Sequence, residues 1–468
     1  MSTTRYAWAA AVALLYALFC LLVAWHHARR RHAAQRDAAA LLDGLPDAAA
    51  PGPRWCVAHA SQTGQAEALA LQTAQALHAA GLPVRLLPLG ALRAEELARI
   101  DHLLCIASTY GEGDPPDSAA AFVRHYMARD DIDLSHLQVG LLALGDSDYA
   151  RFCGFGRALD GWLAARGARP MFERIEVDNA DPATLQRWRD ALALRVGNVD
   201  LPDWQTPACA PWRLVDSRLL NPGSLGQPLH HLVLQPAAGP LPAWEAGDLV
   251  RIQPPHLPDQ ARDYSIASAP ADGALHLVVR TAQRPDGSPG RVSGWLTAPG
   301  RHGDTVPLSI RPHSGFRIAG NAHRPLLLIG NGSGIASLRA HMRQRIAQAA
   351  AQGRAPADMP PLWLVYGERQ AACDRPFADE TARWRAEGWL QREDRVYSRD
   401  GGRHRYVQHL LAEAADHVRA WVEGGGAIYI CGSRDGMGRE VDAVLKALLG
   451  EARCQALQEE GRLRRDVY

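Results

Sequence analysis

Three short stretches of this sequence place hydroxyl, glycine and charged residues where they could bind phosphates and support redox chemistry. Residues 61–67 (SQTGQAE) follow an apolar run and open a helical stretch, so they could hold a phosphate at a helix N-terminus. Residues 262–265 (RDYS) set an arginine, which can pair a pyrophosphate with both arms of its guanidinium, close to a tyrosine ring. Residues 330–334 (GNGSG) form a glycine-rich loop between a predicted strand and a predicted helix, as a dinucleotide loop requires. Each motif alone is weak evidence, so the elements around them matter.

The apolar runs of the first half of the chain predict how the first motif is positioned. Runs at 55–58, 103–107 and 139–144 alternate with helical stretches such as 66–80, which is the rhythm of a doubly wound parallel sheet. Ligands of such a sheet bind beyond the carboxyl ends of its strands. The first motif lies at one of those ends.

The middle of the chain has a different pattern. Between 212 and about 318, strands such as 229–234 and 275–279 are separated by proline and glycine turns, which favours an antiparallel β-barrel. After Pro325 the alternation of strands and helices returns. Its predicted buried strands are 326–329, 362–366 and 427–430. The predicted fold class is therefore α/β plus β, with an antiparallel barrel between two α/β segments.

The N-terminus predicts a membrane anchor. Residues 6–25 carry no charge, and about 20 such residues at about 1.5 Å each can cross a hydrocarbon core of about 30 Å. Four arginines follow closely, at positions 29, 30, 31 and 36, so the positive-inside rule places the remainder in the cytoplasm. A cleaved signal peptide is the alternative, but its apolar region would be only about 7–15 residues long. The expectation is a single-pass protein of the inner membrane with its catalytic domains in the cytoplasm.

The composition of the chain narrows the classes of protein to which it could belong. A length of 468 residues, 47% of them hydrophobic, suits about three packed domains. The formal net charge of +1 argues against nucleic acid as a partner. The eight cysteines include no C-x-x-C pair and no cluster at zinc spacing, so neither a disulfide framework nor a metal site is indicated.

Three loops at predicted strand ends resemble the FMN site of flavodoxin-like domains. The resemblance covers about 54–198 and implies that the first loop holds the phosphate, while Tyr110 and Tyr149 stack on the isoalloxazine ring. Gln65 stands where asparagine is commoner, which keeps the amide function. The expected FMN-binding residues are Ser61, Gln62, Thr63, Gly64, Gln65, Ser108, Thr109, Tyr110, Gly111, Gly113, Leu144, Gly145, Asp146, Tyr149 and Asp178.

The RDYS strand and the segment 290–296 (GRVSGWL) together resemble the FAD domain of the ferredoxin-NADP reductase family. Strand alternation sends Arg262 and Tyr264 to one face and Asp263 and Ser265 to the other. Taken alone, RDYS more often means an amphipathic strand with a surface arginine. The expected FAD-binding residues are Arg262, Asp263, Tyr264, Ser265, Gly290, Val292, Ser293 and Tyr468.

The glycine loop and the segment 397–408 resemble an NADPH-binding site, in which Arg399 would pair the 2′-phosphate. The loop departs from the family pattern at Ser333, where threonine is usual, and at Ser337, where proline is usual. His404 stands where lysine is expected, which leaves open whether a neighbouring arginine, 403 or 405, takes that part. The expected NADP-binding residues are Gly330, Gly332, Ser333, Gly334, Cys431, Gly432, Ser398, Arg399, Tyr406 and Gln408.

The last residues, RRDVY, resemble the ending of diflavin reductases, the family of the sulfite reductase flavoprotein subunit and NADPH-cytochrome P450 reductase. The likeness spans 54–468 and implies that Ser265, Cys431 and Asp466 surround the site of hydride transfer, with Tyr468 stacked on FAD. One departure is large, because only residues 254–261 stand where those relatives insert a helical connecting domain.

The predicted organisation combines the motifs with the breaks between them. It consists of a transmembrane anchor (1–28), a linker (29–53), a flavodoxin-like FMN domain (54–198), a second linker (199–211), an FAD-binding β-barrel domain (212–318) and a Rossmann-like NADPH-binding α/β domain (319–468).

The predicted function is electron transfer from NADPH through FAD and FMN to a one-electron acceptor protein containing haem or iron, as in an NADPH–haemoprotein reductase. Two alternatives stay open from the residues. One is a membrane-tethered ferric-chelate, siderophore or quinone reductase with the same cofactors. The other is a flavin-binding module with a sensory or structural role.

Overall fold

The computed structural model describes residues 53–147, 149–197, 209–257 and 260–468. The chain divides into two compact units, with the main division after residue 204. In the described residues no helix has both the length and the apolar character needed to cross a membrane. This finding contradicts the predicted inner-membrane location, which is corrected here. The segment expected to form the anchor, 1–28, lies outside the described residues.

The first unit contains a parallel sheet built from the predicted apolar runs. Its strand order is β2-β1-β3-β4, and both β5 and β6 pair with β4. All of these strands run parallel, and β2 and β3 lie on opposite sides of β1, so the direction of winding reverses there and the loops after β1 and β3 lie together at the carboxyl ends of the strands. The strands are β1 (Trp55–Ala60), β2 (Val84–Pro88), β3 (His102–Ser108), β4 (Gln138–Gly145), β5 (Arg169–Pro170) and β6 (Ile175–Asp178).

Helices cover both faces of this sheet, as a doubly wound fold requires. One apolar layer includes Leu103, Phe122 and Trp162, and the other includes Leu77 and Trp188. The predicted parallel sheet is thus confirmed. The helices are α1 (Gln65–Ala79), α2 (Ala94–Leu97), α3 (Ala120–Phe122, continued by a π-helical turn Val123–Met127), α4 (Gly154–Ala165) and α5 (Pro182–Val196).

The second unit begins with an antiparallel sheet of order β10-β9-β12-β7-β8-β11. A bridge between Ile266 and Leu277 brings its two edge strands together. Leu232, Val250 and Leu277 fill the interior of this sheet. Its elements are β7 (Ala210–Leu219), β8 (Leu229–Pro236), β9 (Leu249–Ile252), β10 (Arg262–Ser265), β11 (Leu275–Arg280), α6 (Arg291–Leu296) and β12 (Thr305–Arg311).

The same unit ends with a second parallel sheet, of order β15-β14-β13-β16-β17. The central strand β13 carries the glycine loop at its carboxyl end, and β16 pairs with β17 so that Cys431 lies beside Asp466. The strands are β13 (Leu326–Asn331), β14 (Leu362–Glu368), β15 (Arg392–Tyr397), β16 (Ala427–Gly432) and β17 (Leu463–Val467). The helices are α7 (Ile335–Ala351), α8 (Ala378–Ala386), α9 (Val407–Glu413), α10 (Ala415–Glu423), α11 (Arg439–Leu449) and α12 (Glu451–Glu459).

Candidate active site

The loop between β1 and α1 presents a buried hydroxyl at a helix N-terminus. Ser118 holds the backbone of Ser61 on both sides, since its Oγ accepts from Ser61 N at 2.8 Å and donates to Ser61 O at 2.9 Å. The Oγ of Ser61 itself is buried and has no hydrogen-bond partner among the described residues. Because α1 begins at Gln65, its first amides also lack partners within the helix. This donor set fits a phosphate group.

The loop after β3 presents a second buried hydroxyl of the same kind. Thr109 N donates to Leu144 O at 2.9 Å, which fixes the backbone, while Thr109 Oγ1 has no partner in the part of the chain that the structure describes. Tyr110 and Asp114 exchange two backbone hydrogen bonds, of 2.9 and 2.8 Å, that close a tight turn. Gly113 has a φ of +109°, a backbone conformation that residues other than glycine rarely adopt.

The loop after β4 is tethered to the end of β6. Asp178 accepts hydrogen bonds from Ser147 N at 2.9 Å and Ser147 Oγ at 2.6 Å, and Asn179 Nδ2 donates to Asp146 at 3.0 Å. Tyr149 follows in this loop with its side chain 39% exposed. The carboxylate of Asp178 therefore fixes the loop that carries Tyr149.

The RDYS strand, β10, pairs with β9 in the antiparallel sheet and leaves its first two side chains more exposed than its last two. Arg262 is exposed, and Asp263 forms an ion pair with Arg311. Burial raises the pKa of Tyr264 well above its ordinary value. Ser265 points the other way from Tyr264 and donates from Oγ to Asp466 Oδ2 at 2.9 Å.

The second part of the expected FAD site is a short helix, α6. Ser293 Oγ accepts from Ala282 N at 3.0 Å, and Val292 is buried in the core of the antiparallel sheet. A Cβ at Gly290 would lie 2.7 Å from Ser293 Oγ, so a side chain at this position would displace that hydroxyl.

Asp466 is the centre of a buried polar cluster at the end of β17. Besides Ser265, its Oδ2 accepts from Ser337 Oγ at 3.5 Å and from Cys431 Sγ at 3.7 Å. Burial and then the negative charge of Asp466 raise the pKa of the Cys431 thiol well above its ordinary value. The thiol is therefore held protonated at neutral pH. The three residues expected to surround the hydride, Ser265, Cys431 and Asp466, are brought together.

The glycine loop approaches β16 too closely for side chains. A Cβ at Gly334 would lie 2.1 Å from Cys431 O, and one at Gly330 would lie 2.7 Å from the same oxygen. Gly332 has φ of +58°, and Tyr366 Oη donates to its carbonyl at 2.7 Å. Glycine at 330 and 334 therefore allows the backbone of the loop to pack directly against β16.

The segment expected to recognise a 2′-phosphate joins the ends of β14 and β15. Ser398 N donates to Glu368 O at 2.9 Å, which places this segment at the carboxyl edge of the sheet. The side chain of Arg399 is exposed and makes no ion pair within the described ranges. Tyr406 is 42% exposed, and Gln408 Oε1 is buried without a partner in the described part of the chain. These groups are available to a ligand.

The cations near His404 are less available. Arg403 Nη2 lies 2.7 Å from Glu413 Oε1, and His404 Nε2 lies 3.3 Å from Glu413 Oε2. Arg405 instead packs over the ring of Tyr406, at 5.4 Å from its centroid. Glu413 thus contacts His404 and one of the two neighbouring arginines, Arg403, but not Arg405.

Comparison with known proteins agrees with this geometry. Residues 57–189 match the Flavodoxin family, and residues 328–443 match the Oxidoreductase NAD-binding domain family. The sulfite reductase [NADPH] flavoprotein alpha-component of Neisseria meningitidis serogroup B is 26% identical over 545 aligned residues, covering 88% of this chain and 89% of the relative. That of Photobacterium profundum is 24% identical and covers 91% of this chain and 90% of the relative. The chain is thus similar to a diflavin reductase over most of its length.

The protein is an NADPH-dependent flavoprotein oxidoreductase whose cofactors are FMN and FAD. The predicted family, activity and cofactors are confirmed, and the sensory or structural alternative is set aside. The alignment with the Neisseria relative, 545 residues, is longer than this chain of 468, so that relative carries additional residues. This agrees with the short segment 254–261 of this chain.

Four residues of the site are missing from the sequence prediction. Ser118 and Glu413 carry no motif, and only the fold brings them to their partners. Arg280 ends β11 and pairs with Glu368 at 2.5 Å, with its guanidinium beside Gly332. Ser337 is visible in the sequence as a hydroxyl in place of proline, but its contact with Asp466 depends on where α7 packs.

Proposed function

We propose that this diflavin reductase takes electrons from NADPH and delivers them one at a time to an acceptor protein that contains haem or iron, as an NADPH–haemoprotein reductase does. The observation that carries the proposal is the convergence of Ser265, Cys431 and Asp466 at the end of the sheet that bears the glycine loop. When bound, FAD accepts a hydride from NADPH and FMN passes single electrons onward.

Within this proposal the loops of the first unit form the FMN site. Ser61 and Thr109 supply the hydroxyls for the phosphate, together with the amides at the start of α1. Tyr110 and Tyr149 supply the rings for stacking, and Asp178 fixes the second of these by tethering its loop. The unpartnered hydroxyls support this assignment, because buried polar atoms normally have partners.

The antiparallel sheet supplies the FAD site in the same proposal. Arg262 pairs the pyrophosphate, and Tyr264 covers the flavin. Ser265 orients its hydroxyl towards Asp466, so that the donor and the carboxylate lie on the side where the nicotinamide must approach.

The last sheet binds the coenzyme. The glycine loop and the N-terminus of α7 hold the pyrophosphate, with Arg280 beside them, and Arg399 pairs the 2′-phosphate. Gln408 offers its unpartnered oxygen as a hydrogen-bond acceptor. The proposed domains keep the predicted boundaries, 54–198 for FMN, 212–318 for FAD and 319–468 for NADPH.

A variant of the FMN site tests this electron path. Replacing both Tyr110 and Tyr149 by alanine removes the stacking rings and should empty the FMN site while FAD stays bound. NADPH oxidation with ferricyanide, which can take electrons from FAD, should then persist. Reduction of cytochrome c should collapse. Flavin content, measured after release from the protein, should show FAD without FMN.

The outcomes separate the candidate acceptors. Equal loss of ferricyanide and cytochrome c reduction would contradict an FAD-to-FMN path. If the wild-type protein reduced quinones or ferric chelates but no haem or iron protein, the acceptor class would be wrong, although the cofactor assignment would stand.

A further inference from the structure

A short turn, Asp117–Ala119, connects two loops of the proposed FMN site. Its middle residue, Ser118, bonds to both polar backbone groups of Ser61, because its Oγ accepts from Ser61 N at 2.8 Å and donates to Ser61 O at 2.9 Å. Ser61 begins the loop between β1 and α1, which we call the phosphate loop. The turn itself ends the loop after β3, which carries Thr109 and Tyr110. One hydroxyl therefore joins the phosphate loop to the loop after β3.

The backbone around Ser118 is packed closely on two sides. Ala119 is buried, and its N–H donates to Pro116 O at 2.9 Å, which closes the turn. Gly90 lies so near that a Cβ there would be 2.5 Å from Ser118 O. The turn is thus a fixed point to which the backbone of the phosphate loop is attached.

The two bonds also determine which group of Ser61 a ligand can use. Its N–H already donates to Ser118, so this amide is not available to a phosphate. Its Oγ is buried and has no partner among the described residues, and the same is true of Thr109 Oγ1. Buried hydroxyls normally have partners, so these two are suited to a bound phosphate. Ser118 therefore fixes the backbone of the residue that carries one of them.

We propose that Ser118 is a positioning residue that holds the phosphate loop in the conformation that binds FMN, acting through Ser61 and not on the cofactor. This inference rests on the proposed function, which assigns the hydroxyls of Ser61 and Thr109 to the FMN phosphate. A loop that the protein has already ordered does not have to be ordered by the ligand, so the phosphate binds more tightly. In the proposed site the flavin ring stacks on Tyr110 and Tyr149, so its binding depends much less on Ser118.

Riboflavin separates the two contributions, because it has the flavin ring of FMN but no phosphate. The ratio of the riboflavin dissociation constant to the FMN dissociation constant, measured by fluorescence titration of the FMN-depleted full-length protein, reports the contribution of the phosphate. Ser118→Ala should lower this ratio about 5- to 50-fold, the size of one or two ordinary hydrogen bonds, while riboflavin affinity changes less than about 2-fold. Ser118→Thr keeps the hydroxyl and should restore most of the ratio.

Ser147→Ala is the matched control. This serine also fixes a loop of the proposed site, since its Oγ donates to Asp178 Oδ2 at 2.6 Å, but its loop carries Tyr149. Loss of this bond should weaken FMN and riboflavin alike and leave the ratio unchanged. The phosphorus NMR signal of bound FMN is a second measurement. At saturating FMN, it should shift in Ser118→Ala and keep its wild-type position in Ser147→Ala.

Failure of the Ser118 role and failure of the proposed FMN site give different results. If Ser118→Ala kept the wild-type ratio, or weakened FMN and riboflavin equally, Ser118 would not position the phosphate loop, although the FMN site would stand. If the wild-type protein bound FMN no more tightly than riboflavin, the proposed phosphate site itself would be wrong.

Discussion

The loops of the first unit that we propose bind FMN and the Asp466 cluster of the second unit differ in whether their polar atoms have hydrogen-bond partners within the protein. In the loops, Ser61 and Thr109 have fixed backbones but hydroxyls without partners in the described residues. In the cluster, Ser265 and Asp466 bond to each other, and Tyr468 bonds to Ser333. One site is open towards a ligand, while the other is already satisfied by the protein.

This difference fits the time that each ligand spends on the protein. A cofactor that stays bound can complete the hydrogen bonds of a site whose donors are left open, since it need not compete with internal partners. A coenzyme binds and dissociates on each turnover. The hydrogen bonds within the Asp466 cluster keep the side chains of the cluster in place while no coenzyme is bound. The cost of opening those bonds then limits how tightly the product is held.

The largest effect should follow from removing the two unpartnered hydroxyls of the proposed FMN site. Replacing Ser61 by alanine and Thr109 by valine removes two hydroxyls that we assign to the FMN phosphate. Two charge-assisted hydrogen bonds of about 1.5–3 kcal/mol each predict that FMN binds about 10²- to 10⁴-fold more weakly. Titration of the FMN-depleted protein with FMN, followed by fluorescence, measures this.

Ser135→Ala is the matched control for that double variant. The hydroxyl of Ser135 is exposed and donates a hydrogen bond to Asp133. Ser135 precedes β4, so it lies at the amino-terminal end of that strand, whereas the loops lie at the carboxyl ends. It should leave FMN affinity unchanged. If the double variant bound FMN as tightly as wild type, the two hydroxyls would not bind the FMN phosphate, and the proposed difference between the two sites would be wrong.

Arg399 lies in the second unit but makes no ion pair among the described residues, so it resembles the unpartnered hydroxyls of the first unit. Arg399→Ala removes a bidentate contact to the 2′-phosphate and should weaken NADPH by about 1.5–3 kcal/mol, or about 10- to 150-fold. NADH lacks this phosphate and should be nearly unaffected. The ratio of KM values for the two coenzymes measures the change. Arg385→Ala, an exposed arginine on α8, should leave that ratio unchanged, and an unmoved ratio in the Arg399 variant would refute its assignment.

Ser265→Ala tests the satisfied cluster. It removes the shortest hydrogen bond that Asp466 accepts and leaves a buried carboxylate short of a donor, so reduction of the flavin by NADPH should slow about 10- to 100-fold. Stopped-flow absorbance at the flavin band measures this rate. Ser337→Ala removes a bond of 3.5 Å to the same oxygen and should have a smaller effect. Equal rates in Ser265→Ala and wild type would mean that the cluster is only structural.

The smallest effect should come from Glu413. Glu413→Gln releases Arg403 and His404 from their shared carboxylate and removes a negative charge near the proposed 2′-phosphate site. Exposed ion pairs are weak, so the preference for NADPH over NADH should rise only about 2- to 5-fold. Glu423→Gln, at the end of α10, is the matched control. A lower preference for NADPH would show that Glu413 holds Arg403 and His404 in a position that favours binding of the 2′-phosphate.

The sequence could predict what depends on local patterns. The apolar runs predicted strands such as β1 and β13 to within two residues at each end, because burial on both faces leaves a continuous signal. The cluster of Ser265, Cys431 and Asp466 was predicted by resemblance, since its members are far apart along the chain. Ser118 and Glu413 could not be found, because their roles depend on long-range packing. The membrane location was inferred from the apolar N-terminus and the arginines that follow it, and none of the described helices could cross a membrane.

The burial of Cys431 protects its thiol from chemical modification. Alkylating agents and peroxides react with the thiolate, and the raised pKa of this thiol keeps that form scarce. The residue is also fully buried, so such reagents cannot reach it while the chain is folded. We therefore expect the coenzyme site to retain its cysteine under oxidising conditions that modify more exposed thiols.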